Sequence, residues 1–160
     1  MRKIKATPIT KETFAQYGSF SKITTPEGFS LGDFFPDQAR LPVSGQMPIT
    51  FSPLLTHKPE KMIVTTAEYH NYTGEGVVAM DDDVVLHVAP ASNVPVPQLT
   101  EAFIVPKGTA VCLNAGVWHL AALPIHLEEG HVLIVLPERT YMNDCVVVNY
   151  PEEDWIEIEL

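Results

Sequence analysis

Basic residues are scarce in this sequence: 10 Lys and Arg stand against 20 Asp and Glu, a formal charge of -10 at pH 7. Such a chain repels a phosphate backbone instead of releasing its counterions, which excludes nucleic acid as an expected partner. Cysteine is scarcer still. Cys112 and Cys145 are the only two and form no CxxC pair, which predicts reduced thiols packing as small apolar groups rather than a bridge. Long apolar runs are missing as well: the purest, Val132-Leu133-Ile134-Val135-Leu136, falls far short of the ~20 residues that cross a bilayer. Arg2, Lys3 and Lys5 resemble the start of a secretion signal, but Ala6-Thr7-Pro8-Ile9-Thr10 supplies neither its apolar segment nor its cleavage site. The expectation is a cytoplasmic protein with no membrane partner.

What remains is an ordinary globular composition, 160 residues with 46% hydrophobic and 19% charged, read as one domain over 1–160. Folding at that length buries roughly 68–70% of the unfolded surface, enough for a core without disulfides. Fourteen prolines, against about 8 at the roughly 5% background, argue against long helices. One helix is predicted over Thr10 to Tyr17, with Thr10 as N-cap, Glu12 in the first turn, Gly18 as the stop, and Phe14 and Tyr17 on the buried side. Ser19 to Lys58 reads as loops and edge strands.

Short β-branched runs then follow in quick succession: Met62 to Tyr69, Gly76 to Met80, Val84 to Val88, Ala102 to Val105, Thr109 to Leu113, Val117 to Ala122, His131 to Leu136 and Cys145 to Asn149. They predict an all-β sandwich or small barrel. Asp81-Asp82-Asp83 reads as a hairpin turn, since the rest of a calcium loop is missing. The alternating tail Trp155 to Leu160 reads as a half-exposed edge strand, and an edge of this kind, commonly covered by a second copy, predicts a homodimer.

Chemistry concentrates in two segments. In Glu68-Tyr69-His70, a strand period of two turns Glu68 and His70 to one face, and a bend at Tyr72-Thr73-Gly74 can reset the parity so that Glu75 joins them. In Asn114-Ala115-Gly116-Val117-Trp118-His119, a glycine turn launches a strand that carries its histidine. Two carboxylates and two imidazoles can thus converge from two non-adjacent strands, a donor set suited to a divalent ion such as Ni, Fe, Mn or Zn. His57, His87, His126 and His131 have no partner at ligand spacing and read as satisfied structural residues, and Trp118 as core filling.

Glu68-x-His70-x4-Glu75 resembles the first motif of the cupin superfamily, HxHx3-4E, with Glu68 replacing its first histidine. Asn114-x-Gly116-x2-His119 resembles the second, PxGx2H, with Asn114 replacing the proline, and the stretch Ala89 to Gln98 accounts for the long interval between them. Closer still, the chain resembles the ureidoglycolate lyase family in Ile9 to Gly18, in the Glu68-x-His70 segment, in Ala102-Phe103-Ile104, and in Gly116-Val117-Trp118-His119 followed by Pro124.

The resemblance implies a cupin-like jelly roll or double-stranded β-barrel with a short N-terminal helix. It also implies cleavage of ureidoglycolate to glyoxylate and urea, a step of allantoin and purine-nitrogen catabolism. On that reading His70, Glu75 and His119, with Glu68 alongside, hold the metal; Glu68, if not a ligand, is the base; and Glu68, His70 and His119 form the catalytic set. Tyr69 or Tyr72 is a candidate acid, though strand parity points Tyr69 away from the site, and a small anionic substrate is met first by the metal and then by Lys107 and Arg40. Two other readings keep the fold: a metal-dependent isomerase or decarboxylase acting on a sugar acid, and a non-catalytic cupin that binds a ligand.

Overall fold

The computed structural model describes residues 1–160. In chain order the elements are β1 (Arg2–Lys5), β2 (Thr7–Pro8), α1 (Lys11–Phe14), β3 (Gly18–Lys22), β4 (Ile49–His57), β5 (Met62–Val64), β6 (Thr66–Tyr69), β7 (Glu75–Ala79) and β8 (Val84–Ala89). There follow β9 (Glu101–Val105), β10 (Thr109–Leu113), β11 (Trp118–His119), β12 (Leu123–Pro124), β13 (Glu129–Pro137), α2 (Thr140–Asn143), β14 (Val146–Asn149) and β15 (Ile156–Glu159). The fold is all-β and cupin-like. Its strands form separate sheets and close no barrel: a five-stranded sheet β3-β10-β7-β13-β4, a seven-stranded sheet β14-β6-β11-β8-β9-β2 with β12 paired to β8, and a three-stranded sheet β1-β15-β5.

Alternation of side chains builds the layers. The run Val84 to Ala89 is buried on both faces. Its even residues Val84, Leu86 and Val88 meet Val77, Val111 and Val132 of the five-stranded sheet, while Val85 and Ala89 face Met62, Val64, Ile156 and Ile158 of the three-stranded sheet. The seven-stranded sheet is therefore the middle layer, which is why β8 reads as a continuous apolar run with no polar face.

The helix begins where predicted, Thr10 Oγ1 accepting from the Thr13 N–H at 3.2 Å, but it ends at Phe14. Phe14 and Tyr17 are buried with ring centroids 5.8 Å apart, so the aromatic pairing holds while the chain turns toward β3. The segment after Ser19 carries β3 and β4, which are indeed the two edges of the five-stranded sheet. Met62 to Tyr69 is broken at Thr65, placing β5 and β6 in different layers, because the Thr65 carbonyl is taken by the Tyr150 N–H. Asp81-Asp82-Asp83 is a turn but joins no hairpin: it crosses from β7 in one sheet to β8 in the next. Its carboxylates accept the backbone N–H groups of His131, His126, Leu127 and Lys107.

The tail corrects the sequence expectation. β15 is the central strand of its sheet, parallel to β1 and antiparallel to β5, so both of its edges are covered within the chain. Ile156 and Ile158 point inward, and Glu157 and Glu159 ion-pair with Lys3 at 3.4 and 2.6 Å. The alternation was legible, whereas the partners lie at the other end of the chain. No helix is long and apolar enough to cross a membrane.

Candidate metal centre

Glu68 and His119 meet because their strands do. β6 and β11 are hydrogen-bonded neighbours, and His119 registers directly opposite Glu68, which sets the two side chains on one face of the middle sheet. Trp118, one residue earlier, takes the other face, fills the second core, and donates its indole N–H to Ser92 Oγ at 3.0 Å. His70 follows the end of β6, and Glu75 opens β7 in the facing five-stranded sheet. The expected convergence involves three strands rather than two: β6 and β11, far apart in the chain, lie side by side, and Glu75 arrives from β7 across the sandwich. Tyr72-Thr73-Gly74 carries the chain between sheets rather than resetting parity within one. Gly74 is required there by close approach, since a Cβ would stand 2.2 Å from the Leu113 carbonyl oxygen.

One donor atom from each of Glu68, His70, Glu75 and His119 lies within 4.8 Å of all the others. Ligands about 2.0–2.2 Å from a common ion span at most about 4.4 Å, so the four atoms sit within a few tenths of an ångström of coordination distance. His70, Glu75 and His119 are buried, at 3, 6 and 2% exposure, and Glu68 is half-buried. The hydrogen bonds decide which ring nitrogens are free. His70 Nδ1 lies 2.6 Å from the Asp144 carbonyl and His119 Nδ1 lies 2.8 Å from the Val117 carbonyl. A carbonyl only accepts, so each Nδ1 carries the proton of the neutral ring, and each Nε2 presents a lone pair. Both Nε2 atoms point at Glu75 Oε2, at 2.9 and 3.2 Å. Three acceptors converging on one point need a proton or a cation between them, and a main-chain carbonyl fixing the far nitrogen is how metal-binding histidines are held.

Where a proton takes that place, the groups shift together. Burial alone would raise the Glu75 carboxyl, but His119 and then His70 outweigh it and hold it at about 2. Burial would lower His119, yet Glu75, the Val117 carbonyl and Glu68 raise it above its ordinary 6.5.

Two neighbours were silent in the sequence. Asp144 grips the loop after β6 from both ends: its carbonyl accepts from His70, and its carboxylate accepts the N–H groups of Asn71 and Tyr72, each at 2.8 Å. Cys145 donates its S–H to Glu68 Oε2 at 3.1 Å, and burial, then Glu68, pushes the thiol up to about 12. The expectation of an inert apolar thiol holds for buried Cys112 but not for Cys145. Register carries the signal for both residues: β14 pairs with β6, setting Val147 opposite Glu68, a relation that no local pattern reveals.

The cluster opens into a cavity of about 250 Å³ between the two larger sheets, where Glu68, His70 and Glu75 face Pro53 and Leu54 of β4 and Ile134 and Leu136 of β13. Cys145 and Tyr141 also line it, and no lysine or arginine does. The remaining expected substrate contacts lie elsewhere. Tyr72 is 74% exposed and outside this wall. Lys107 sits in the turn before β10, at the far end from Leu113, which is the residue paired with Glu75. Arg40 belongs to the segment covering the outer side of β10, where its main chain approaches Cys112. Of the histidines read as structural, His57, His126 and His131 pair with Glu129, Asp83 and Asp81. His87 departs from that reading, because its Nε2 is buried without any partner.

The comparisons with known proteins agree with this architecture. A family model described as ureidoglycolate lyase matches residues 1–157 of the 160, and the chain belongs to that family. No curated protein matches the chain.

Proposed function

We propose that this member of the ureidoglycolate lyase family is a metal-dependent lyase that cleaves ureidoglycolate to glyoxylate and urea. The observation that carries the reading is the pair of Nε2 atoms, of His70 and His119, that converge with Glu75 Oε2 beside an open cavity. The family match supports the lyase class.

The reaction requires that the hydroxyl proton leave, the carbon–nitrogen bond break with its electrons going to nitrogen, and that nitrogen take up a proton as the carbonyl forms. His70, Glu75 and His119 would hold the ion, with Glu68 as a fourth donor or as the base. A bound divalent cation supplies Lewis acidity toward the hydroxyl and carboxylate oxygens and favours the alkoxide. Because no cationic side chain lines the cavity, that charge would also be what draws an anionic substrate in. Glu68, half-buried on the wall, is placed to accept the hydroxyl proton, and the Cys145 S–H orients its carboxylate. Tyr141, the one phenol on the same wall, is a candidate proton donor for the departing nitrogen, whereas Tyr72 lies outside the cavity. Positioned groups of this kind contribute about 10²–10⁴-fold in rate.

Purified protein loaded in turn with Mn, Ni, Zn and Fe is expected to release urea and glyoxylate in equal amounts from ureidoglycolate. Release of neither product, under conditions where a known ureidoglycolate lyase is active, would falsify the assignment. Turnover of sugar acids in its place would reassign the same centre.

A further inference from the structure

On the opposite face of the middle sheet lies a second cavity, of about 260 Å³, between β8 and the three-stranded sheet. Met62, Val64, Val85, Leu120, Leu123 and Ile158 give it a mainly apolar wall. His87 interrupts that wall, its parity on β8 turning it away from the first core and into this space. Its Nε2 is fully buried and bonds to nothing, one of only two buried side-chain polar atoms in the chain left so. Burial, and next the charge of His119, lowers its pKa to about 4, so the ring is neutral at physiological pH.

An apolar cavity of about 150 Å³ already takes benzene, and beside His87 the only polar side chains on this wall are half-buried Thr65 and exposed Lys61. The size, the apolar surface and the single orphaned ring nitrogen together describe a ligand. We propose that this cavity is a second binding site, for a small uncharged molecule with an apolar body and one hydroxyl group, which hydrogen-bonds His87 Nε2. A hydroxyl both donates and accepts, and so satisfies either tautomer of the ring. A carboxylate is disfavoured because the apolar wall would strip its hydration, and the one cation on the lining, Lys61, is itself exposed to solvent. The site is independent of the lyase reading. Its wall includes Leu120 and Ala121, directly after His119, and Ala121 also borders the Glu68 cavity, so an occupant would press on the segment that carries a metal-binding histidine.

Methyl and imidazole NMR of the full chain, titrated with phenol, toluene and benzoate, tests the site. Phenol should give saturable shifts at Val85, Leu123 and Ile158 and move the His87 Nε2 resonance. Toluene should bind roughly 3- to 10-fold more weakly, the worth of one hydrogen bond, without moving that resonance, and benzoate more weakly than either. His87→Leu should abolish the preference for phenol over toluene, and Leu123→Trp should block both. The proposal is overturned by any of four results: no saturable shift up to the solubility limit, equal affinity for phenol and toluene in the unaltered protein, a His87 resonance indifferent to phenol, or shifts confined to Ile134 and Leu136 of the other cavity. Should a variant fail to fold, the imidazole resonance of the unaltered protein decides alone.

Discussion

At the scale of single residues, the centre is a set of acceptors organised by groups that never touch a substrate. His119→Ala should strip bound metal, read by elemental analysis after purification, while His131→Ala, whose ring pairs with Asp81 at the surface, should leave the metal content unchanged. Asp144→Ala removes the carboxylate that accepts two N–H groups beside His70. The carbonyl that orients His70 survives this change, so metal affinity should fall by less than the about 10–100-fold that loss of a direct orienting partner costs, an effect that competition with a chromogenic chelator measures. The pH behaviour of the metal-free protein follows from the signs of two shifts. Glu75 is depressed, so its stabilisation is present above its ordinary 4.5 and is lost as pH falls toward about 2. His119 is raised, so its contribution is complete below 6.5 and is lost as pH rises through its folded value. Thermal denaturation of the metal-free protein should therefore show this cluster's stabilisation greatest between pH 4.5 and 6.5, and Glu75→Gln should flatten that profile.

Elements were legible to differing depths, for identifiable reasons. β10 and β8 emerge from local composition because their residues are buried whichever partner they meet. Leu86, fully buried in the core between the two larger sheets, is expected to cost about 2–5 kcal/mol when replaced by Ala, measured by urea denaturation. α1 shows the limit of capping logic: Thr10 marks the start correctly, but the end is set by the need to deliver Tyr17 and β3 to the sandwich. β11 contracts to Trp118 and His119, since it needs only to reach β6 on one side and β8 on the other. Glu75 is the instructive case. Reasoning by strand period treats its neighbours as one ribbon, and the turn before it instead hands the chain to the opposite sheet.

For the molecule as a whole, an internal partner for β15 removes the edge that first suggested a dimer and directs attention to β4. This nine-residue strand pairs only with β13, and it leaves Phe51 68% exposed together with Leu55 and Ile49 on its free side of the sheet. Pro53 at its centre withholds one N–H from any added strand, so the association expected here is through this exposed apolar face. A homodimer through β4 is expected by sedimentation at micromolar concentration, and Phe51→Lys combined with Leu55→Lys should yield a monomer that retains the fold by circular dichroism. A monomeric profile for the unaltered protein would remove the dimer from the account.

Composition and periodicity determined by themselves that the chain is β-rich and acidic and that Glu68 and His70 share a face, while the motif resemblance implied that Glu75 and His119 join them. These properties are local, because burial and strand alternation act on residues a few positions apart. Only the tertiary structure decided that Glu75 reaches the site from across the sandwich, that Asp144 and Cys145 hold it in place, that Lys107 and Arg40 stand apart from it, and that His87 faces a second cavity. Each of those outcomes depends on which strands become neighbours, and strand pairing is a competition among all segments of the chain for burial and hydrogen bonds that no single segment encodes.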